Sequence, residues 1–146
     1  VKGGLELVRR FAQVSERVAR RDLAEASGRL RAAEAQAEAL AAEAVRQRRI
    51  IAERLEDGTP ADTVGTGYRY VHAAERRAAE AEAGCEALRA ALAKREADWI
   101  EARRGLKGVS AVLERRHCKA VQLRERREQQ AADDLVNAWG GAEHAR

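Results

Sequence analysis

The stretch Asp57-Gly58-Thr59-Pro60-Ala61-Asp62-Thr63-Val64-Gly65-Thr66-Gly67 decides the fold. It holds the only proline of the 146-residue chain and three of its 11 glycines, and helix-forming sequence flanks it on both sides, so it reads as a turn. Pro60 holds Thr59 extended, which ends a helix there, and Asp62 or Thr63 is a suitable cap for the next one. The pattern predicts helix one over about residues 5–56, a turn over about 57–67 and helix two over about 64–138. Gly140 and Gly141, after Trp139, supply the far stop and leave a short flexible tail at 140–146. The expectation is an all-α fold: a single hairpin domain of two long helices in an antiparallel coiled coil, helix two being the longer.

Composition supports this. Ala, Glu, Lys, Leu and Arg account for 91 residues, 33 of them alanine, well above the roughly half that marks long helices or coiled coils. Alanine loses no side-chain entropy in a helix, and Glu and Arg lose little. Bulky core-formers are scarce: one Phe, two Trp and two Tyr. The 28 basic and 24 acidic residues give a net charge of +4, which is interspersed charge and makes no demand for nucleic acid. Binding of anionic surfaces through the arginines is the weakest reading, since glutamate nearly balances them.

Helix two carries the clearer repeat. With Val71 at position a, the a series is Val71, Ala78, Cys85, Leu92, Trp99, Leu106, Leu113 and Ala120. The d series is Ala74, Ala81, Leu88, Arg95, Ala102, Val109, Arg116 and Leu123. Such a register expects a helical partner along its length. Helix one gives Leu7, Phe11, Val14 and Val18, then a slip near Asp22 that reads as a stutter, then Leu23, Ala26, Leu30, Ala33, Ala37, Leu40, Ala44, Ile51 and Leu55. The alanine-rich stretches nearest the turn bury little area per layer, so the loop end is expected to be the weaker half.

At ~1.5 Å per residue helix one spans about 78 Å and helix two about 100 Å or more. Helix two beyond roughly Ala120 therefore overhangs the start of helix one. A lone polar helix persists poorly in water, so the overhang expects a receptor.

The sequence offers no sign of an enzyme, cofactor or metal site. A two-stranded coiled coil has no enclosed pocket in which a catalytic group is desolvated and positioned. His72, His117 and His144 are scattered, and His117 and Cys118, adjacent on a helix, point about 100° apart and cannot share an ion. Cys85 and Cys118 form no Cys-x-x-Cys motif and read as free thiols. Gly67-Tyr68 lacks the pattern of a phosphate loop. With no long apolar run and a charged N-terminal stretch, the chain is expected to be soluble and cytoplasmic. Arg95 and Arg116 at d positions either set the register or snorkel past a narrow seam. Trp99 at an a position fills the seam.

The order of features resembles the FliJ family of the flagellar type III export apparatus and its injectisome relatives, the YscO group. The segment Trp99-Ile100-Glu101-Ala102-Arg103-Arg104-Gly105-Leu106-Lys107, then Leu113-Glu114-Arg115-Arg116, then Arg126-Arg127-Glu128-Gln129-Gln130-Ala131-Ala132-Asp133-Asp134-Leu135 carries the likeness. The resemblance implies a stalk that binds the pore of a hexameric export ATPase. It also implies contact with the membrane export gate and with export chaperones, at the cytoplasmic face of the cell membrane at the flagellar base. It points to Arg115, Arg126, Glu128, Gln129, Asp133 and Asp134 for the ATPase. For the gate it points to Tyr68, Tyr70 and Val71, although Ala74 and Glu75 stand where the family's aliphatic partner would be. The seam is expected to hold Phe11, Val18, Leu30, Leu40, Leu88, Leu92, Trp99, Leu106 and Leu113. A stalk should be mainly monomeric alone. The rival expectation is a homodimeric scaffold whose alanine seams pair between chains; the equivalent injectisome stalk is the other alternative.

Overall fold

The computed structural model describes the backbone of residues 2–143 and the side chains of residues 3–140. Two helices account for nearly all of it: α1 (Lys2–Glu56) and α2 (Ala61–Glu143). The turn between them is only Asp57 to Pro60. Gly58 takes a φ of 78°, the left-handed conformation that costs a side-chain-bearing residue about 1–2 kcal/mol. Its N–H donates to the carbonyl of Leu55 at 3.2 Å, and the N–H of Thr59 donates to Arg54 at 3.1 Å. This pair of bonds is a Schellman motif, and it satisfies carbonyls that the end of α1 would otherwise leave unpaired.

The turn is shorter than the glycine and proline content predicts. The N–H of Val64 already donates to the carbonyl of Pro60 at 3.1 Å, because proline's fixed φ suits the start of a helix. Gly65 and Gly67 are therefore helical. Asp62 does not cap; it lies in the first turn of α2, where a carboxylate favours the helix dipole. At the other end α2 continues through Gly140 and Gly141, since neither adopts the positive φ that closes α1. Residues 144–146 of the expected tail lie outside the described residues.

The chain divides into two compact units, residues 16–101 and residues 1–15 with 102–146. In the first, the α1 positions shielded from solvent include Glu16, Ala19, Leu23, Ala26, Leu30, Ala33, Ala37, Leu40, Ala44, Gln47 and Ile51. They alternate spacings of three and four without interruption, so the expected stutter near Asp22 does not exist. Val18, expected in this seam, is exposed, as is Leu55. The sequence reading followed apolar character, whereas the seam accepts Glu16, whose carboxylate receives the indole N–H of Trp99 at 3.0 Å.

Buried residues concentrate where alanine is most abundant. Leu30, Ala37 and Cys85 form one cluster, backed by Ala33, Ala81, Leu88 and Leu92. Ile51, Val64 and Val71 form another beside the turn. Small residues let the helices approach closely enough to exclude water, although each buries little area. The loop end is thus the best shielded part of this unit, and Leu40, Leu88, Leu92 and Trp99 are only half-buried. Gly67 shows how close the approach is: a Cβ built there would lie 2.2 Å from Cδ1 of Ile51.

Charged side chains bracket this seam. Arg89 donates to Glu34 across the helices at 3.0 and 3.2 Å and also reaches Glu82 and Glu86. These carboxylates, Glu82 and Glu34 foremost, push the Arg89 guanidinium further toward its charged form. Arg48 pairs with Glu75. Arg95, one of the arginines at d, is half-exposed and lies 3.9 Å from Asp22 and 3.7 Å from Asp98. Its stem passes the seam and its head reaches carboxylates at the rim.

In the second unit, α1 shields Leu5, Arg9, Ala12 and Ser15, and α2 shields Ala102, Leu106, Val109, Ser110 and Leu113. None of these is fully buried. Arg9 pairs with Glu6 at 2.9 Å, while its Nε is buried without a partner. Phe11, expected in the seam, is 73% exposed, and Leu7 and Val14 are exposed with it. Ala120, Leu123 and Arg116, which continue the heptads of α2, are also exposed.

Candidate functional site: the second unit

Every described residue from Gln122 to Gly140 is exposed. The start of α1 meets α2 along a groove lined by Leu5, Glu6 and Arg9 on one side and by Leu113, Arg116, His117 and Ala120 on the other. Beyond that groove α2 runs on as a single helix, so the expected overhang exists. Three features favour helix there: uninterrupted α-helical hydrogen bonding, straight-chain residues such as Arg124 to Gln130, and the alanines that follow. Neither propensity nor charge supplies a second strand.

The residues expected to meet the ATPase all lie on α2 of this unit and are all exposed. Arg115 stands beside the groove; Arg126, Glu128, Gln129, Asp133 and Asp134 stand on the overhang. The carboxylates of Glu125, Glu128, Asp133 and Asp134 have no ion-pair partner among the described residues. They are therefore available to a partner's cations at little cost in broken contacts. The acidic pair follows a cationic run, Arg124, Arg126 and Arg127, so the overhang offers both signs within three turns.

Two apolar groups on this unit are exposed, one of them the α1 row that was expected in the seam. Leu135, Val136 and Trp139 are 62%, 71% and 77% exposed on the overhang. Leu7, Phe11 and Val14 form an exposed stripe on α1. Both were legible as apolar residues at helical spacing; their exposure was not. Charge also concentrates here: from 103 to 119 the chain carries Arg103, Arg104, Lys107, Arg115, Arg116 and Lys119 against Glu114 alone.

The three residues expected to touch the gate separate. Tyr68 and Tyr70 are exposed, at 38% and 54%, whereas Val71 is 1% exposed and packs with Ile51 and Val64. Val71 belongs to the seam, and a contact through it would require the hairpin to open.

Among the described residues no group of three or more His, Cys, Asp or Glu side chains could hold a metal ion, and no helix is long and apolar enough to cross a membrane. Cys85 is buried and Cys118 exposed, both as free thiols. The family described as Flagellar FliJ protein matches residues 2–139. No curated protein and no solved structure matches the chain.

Proposed function

The chain belongs to the flagellar FliJ family and is a component of the flagellar protein-export apparatus, and from that premise we propose that it is the central stalk of the export ATPase. One observation supports this most: α2 continues from Gln122 to Gly140 with every side chain exposed. A long unpartnered helix fits a ring pore better than it fits solvent. Arg115, Arg126, Glu128, Gln129, Asp133 and Asp134 are the contacts to a hexameric ATPase. Paired charges at such an interface set orientation and the rate of encounter more than affinity.

The proposal extends to the rest of the apparatus. Tyr68 and Tyr70, exposed near the turn, meet the export gate, and Val71 acts only by holding the helix that displays them. The protein has no catalytic activity of its own; it promotes ring assembly and turnover, exchanges export chaperones, and works peripherally at the cytoplasmic face of the membrane. A monomeric stalk is preferred to a scaffold that pairs alanine seams between chains because Ala37, Ala44 and Ala74 are buried within one chain's own helix pair.

The test is motility and secretion in cells carrying Asp133→Lys with Asp134→Lys. Reversing this exposed acidic pair should abolish export while leaving the helical content unchanged. Normal motility with normal ATPase binding would refute the contact.

A further inference from the structure

We propose that the outer face of α1 in the second unit is a docking site for a helix of another protein with an apolar seam and acidic flanks. Leu7, Phe11 and Val14 are spaced by four and three residues, the spacing of a coiled-coil seam. Leu5, Arg9 and Ala12 on the same helix already face α2, so the stripe lies on the opposite side and belongs to a third helix. Its side chains are 68%, 73% and 57% exposed, and Val8, 48% exposed, borders it. A periodic apolar row of this kind matches the knobs of a helix better than a flat surface or a small molecule.

Charge selects the occupant. Arg10, on the flank of the stripe, is exposed and has no ion-pair partner among the described residues, whereas Glu6 and Arg9 neutralise one another. The α2 segment of the same unit carries six cations and one anion between 103 and 119. Across a helix ~10 Å wide the field of these charges is largely screened at physiological salt, where the Debye length is ~8 Å, so Arg10 is the cation that meets the partner's flank. Acidic residues flanking the partner's seam match it; basic ones are repelled.

The surface is tested with the full chain and a designed peptide of about four heptads, with Leu at a and d and Glu at e and g, against the same peptide with Lys at e and g. Fluorescence anisotropy should show saturable binding of the Glu peptide only. Phe11→Ser and Leu7→Ser should each weaken it about tenfold or more, and Arg10→Glu should weaken it without touching the stripe; Val45→Ser, at an exposed valine in the other unit, should leave it unchanged. Circular dichroism confirms that each variant keeps its helices. Absence of binding, equal binding of the two peptides, or indifference to both Phe11→Ser and Arg10→Glu overturns the proposal. So does sedimentation showing that the chain is a dimer which Phe11→Ser dissociates, because a second copy then occupies the stripe.

Discussion

The indole Nε1–H of Trp99 donates to Oε1 of Glu16 at 3.0 Å, joining α2 to α1 across 83 residues of sequence. Glu16 sits between Val14 and Val18, both more apolar, and is nevertheless the residue turned toward α2. The bond lets a carboxylate occupy a seam position and so helps fix which face of α1 is inside. Trp99→Phe should lower stability by about 1 kcal/mol, read from the urea midpoint. Glu16→Ala should add little in the Trp99→Phe background if the two side chains act as a pair.

The Schellman turn rests on one backbone conformation. Gly58→Ala should cost about 1–2 kcal/mol, whereas the same change at exposed Gly105, where a Cβ meets nothing within 4 Å, should stabilise the helix by about 0.5–1 kcal/mol. Thermal unfolding of both variants separates these opposite signs.

A Cβ on Gly67 would displace Cδ1 at the far end of the Ile51 side chain. Gly67→Ala should cost about 1–3 kcal/mol, because Ile51 must leave its rotamer or the helices must part. Ile51→Val in that background should recover part of the loss, and a double-mutant cycle measures the coupling.

Thiol chemistry should distinguish the two cysteines. Cys118 is exposed and Cys85 is 0% exposed, so a thiol reagent should modify one site rapidly in the native protein and the second only on unfolding. Two equally fast sites would mean that the Leu30, Ala37 and Cys85 cluster opens readily.

Acid should remove a small contribution from Glu43. Hydrogen bonds from Gln47 and then Arg46 hold its carboxyl below its ordinary value. A depressed folded-state pKa gives stability that is present above the unfolded-state value and is lost as pH falls through the folded one. Glu43→Gln should therefore be slightly less stable than the parent at pH 7. The gap between their urea midpoints should close below about pH 4.

How much of this was legible in the sequence differs by element. The two helices and the turn followed from propensity and from Gly58 and Pro60, and α2's register through Val71, Cys85 and Leu113 followed from apolar spacing. The register of early α1 did not. There the apolar row Leu7, Phe11, Val14 faces outward, while Arg9, Ala12 and Glu16 face α2. Periodicity identifies a stripe but cannot say which of two stripes meets the partner when the inner one is made of small residues and side chains with long stems. Val71 was placed correctly by its heptad position and misplaced only by the family resemblance, which made it a gate contact although it is one of the most deeply buried residues. The overhang was accessible from helix lengths alone, and its charged residues from their order along the chain.

The stalk assignment is tested most directly by titrating the purified chain into its cognate export ATPase and following ATP turnover. Stimulation should saturate at about one chain per ATPase ring and be lost with Asp133→Lys and Asp134→Lys at unchanged helicity. Turnover indifferent to the chain, or stimulation that survives the double substitution in full, would contradict the assignment.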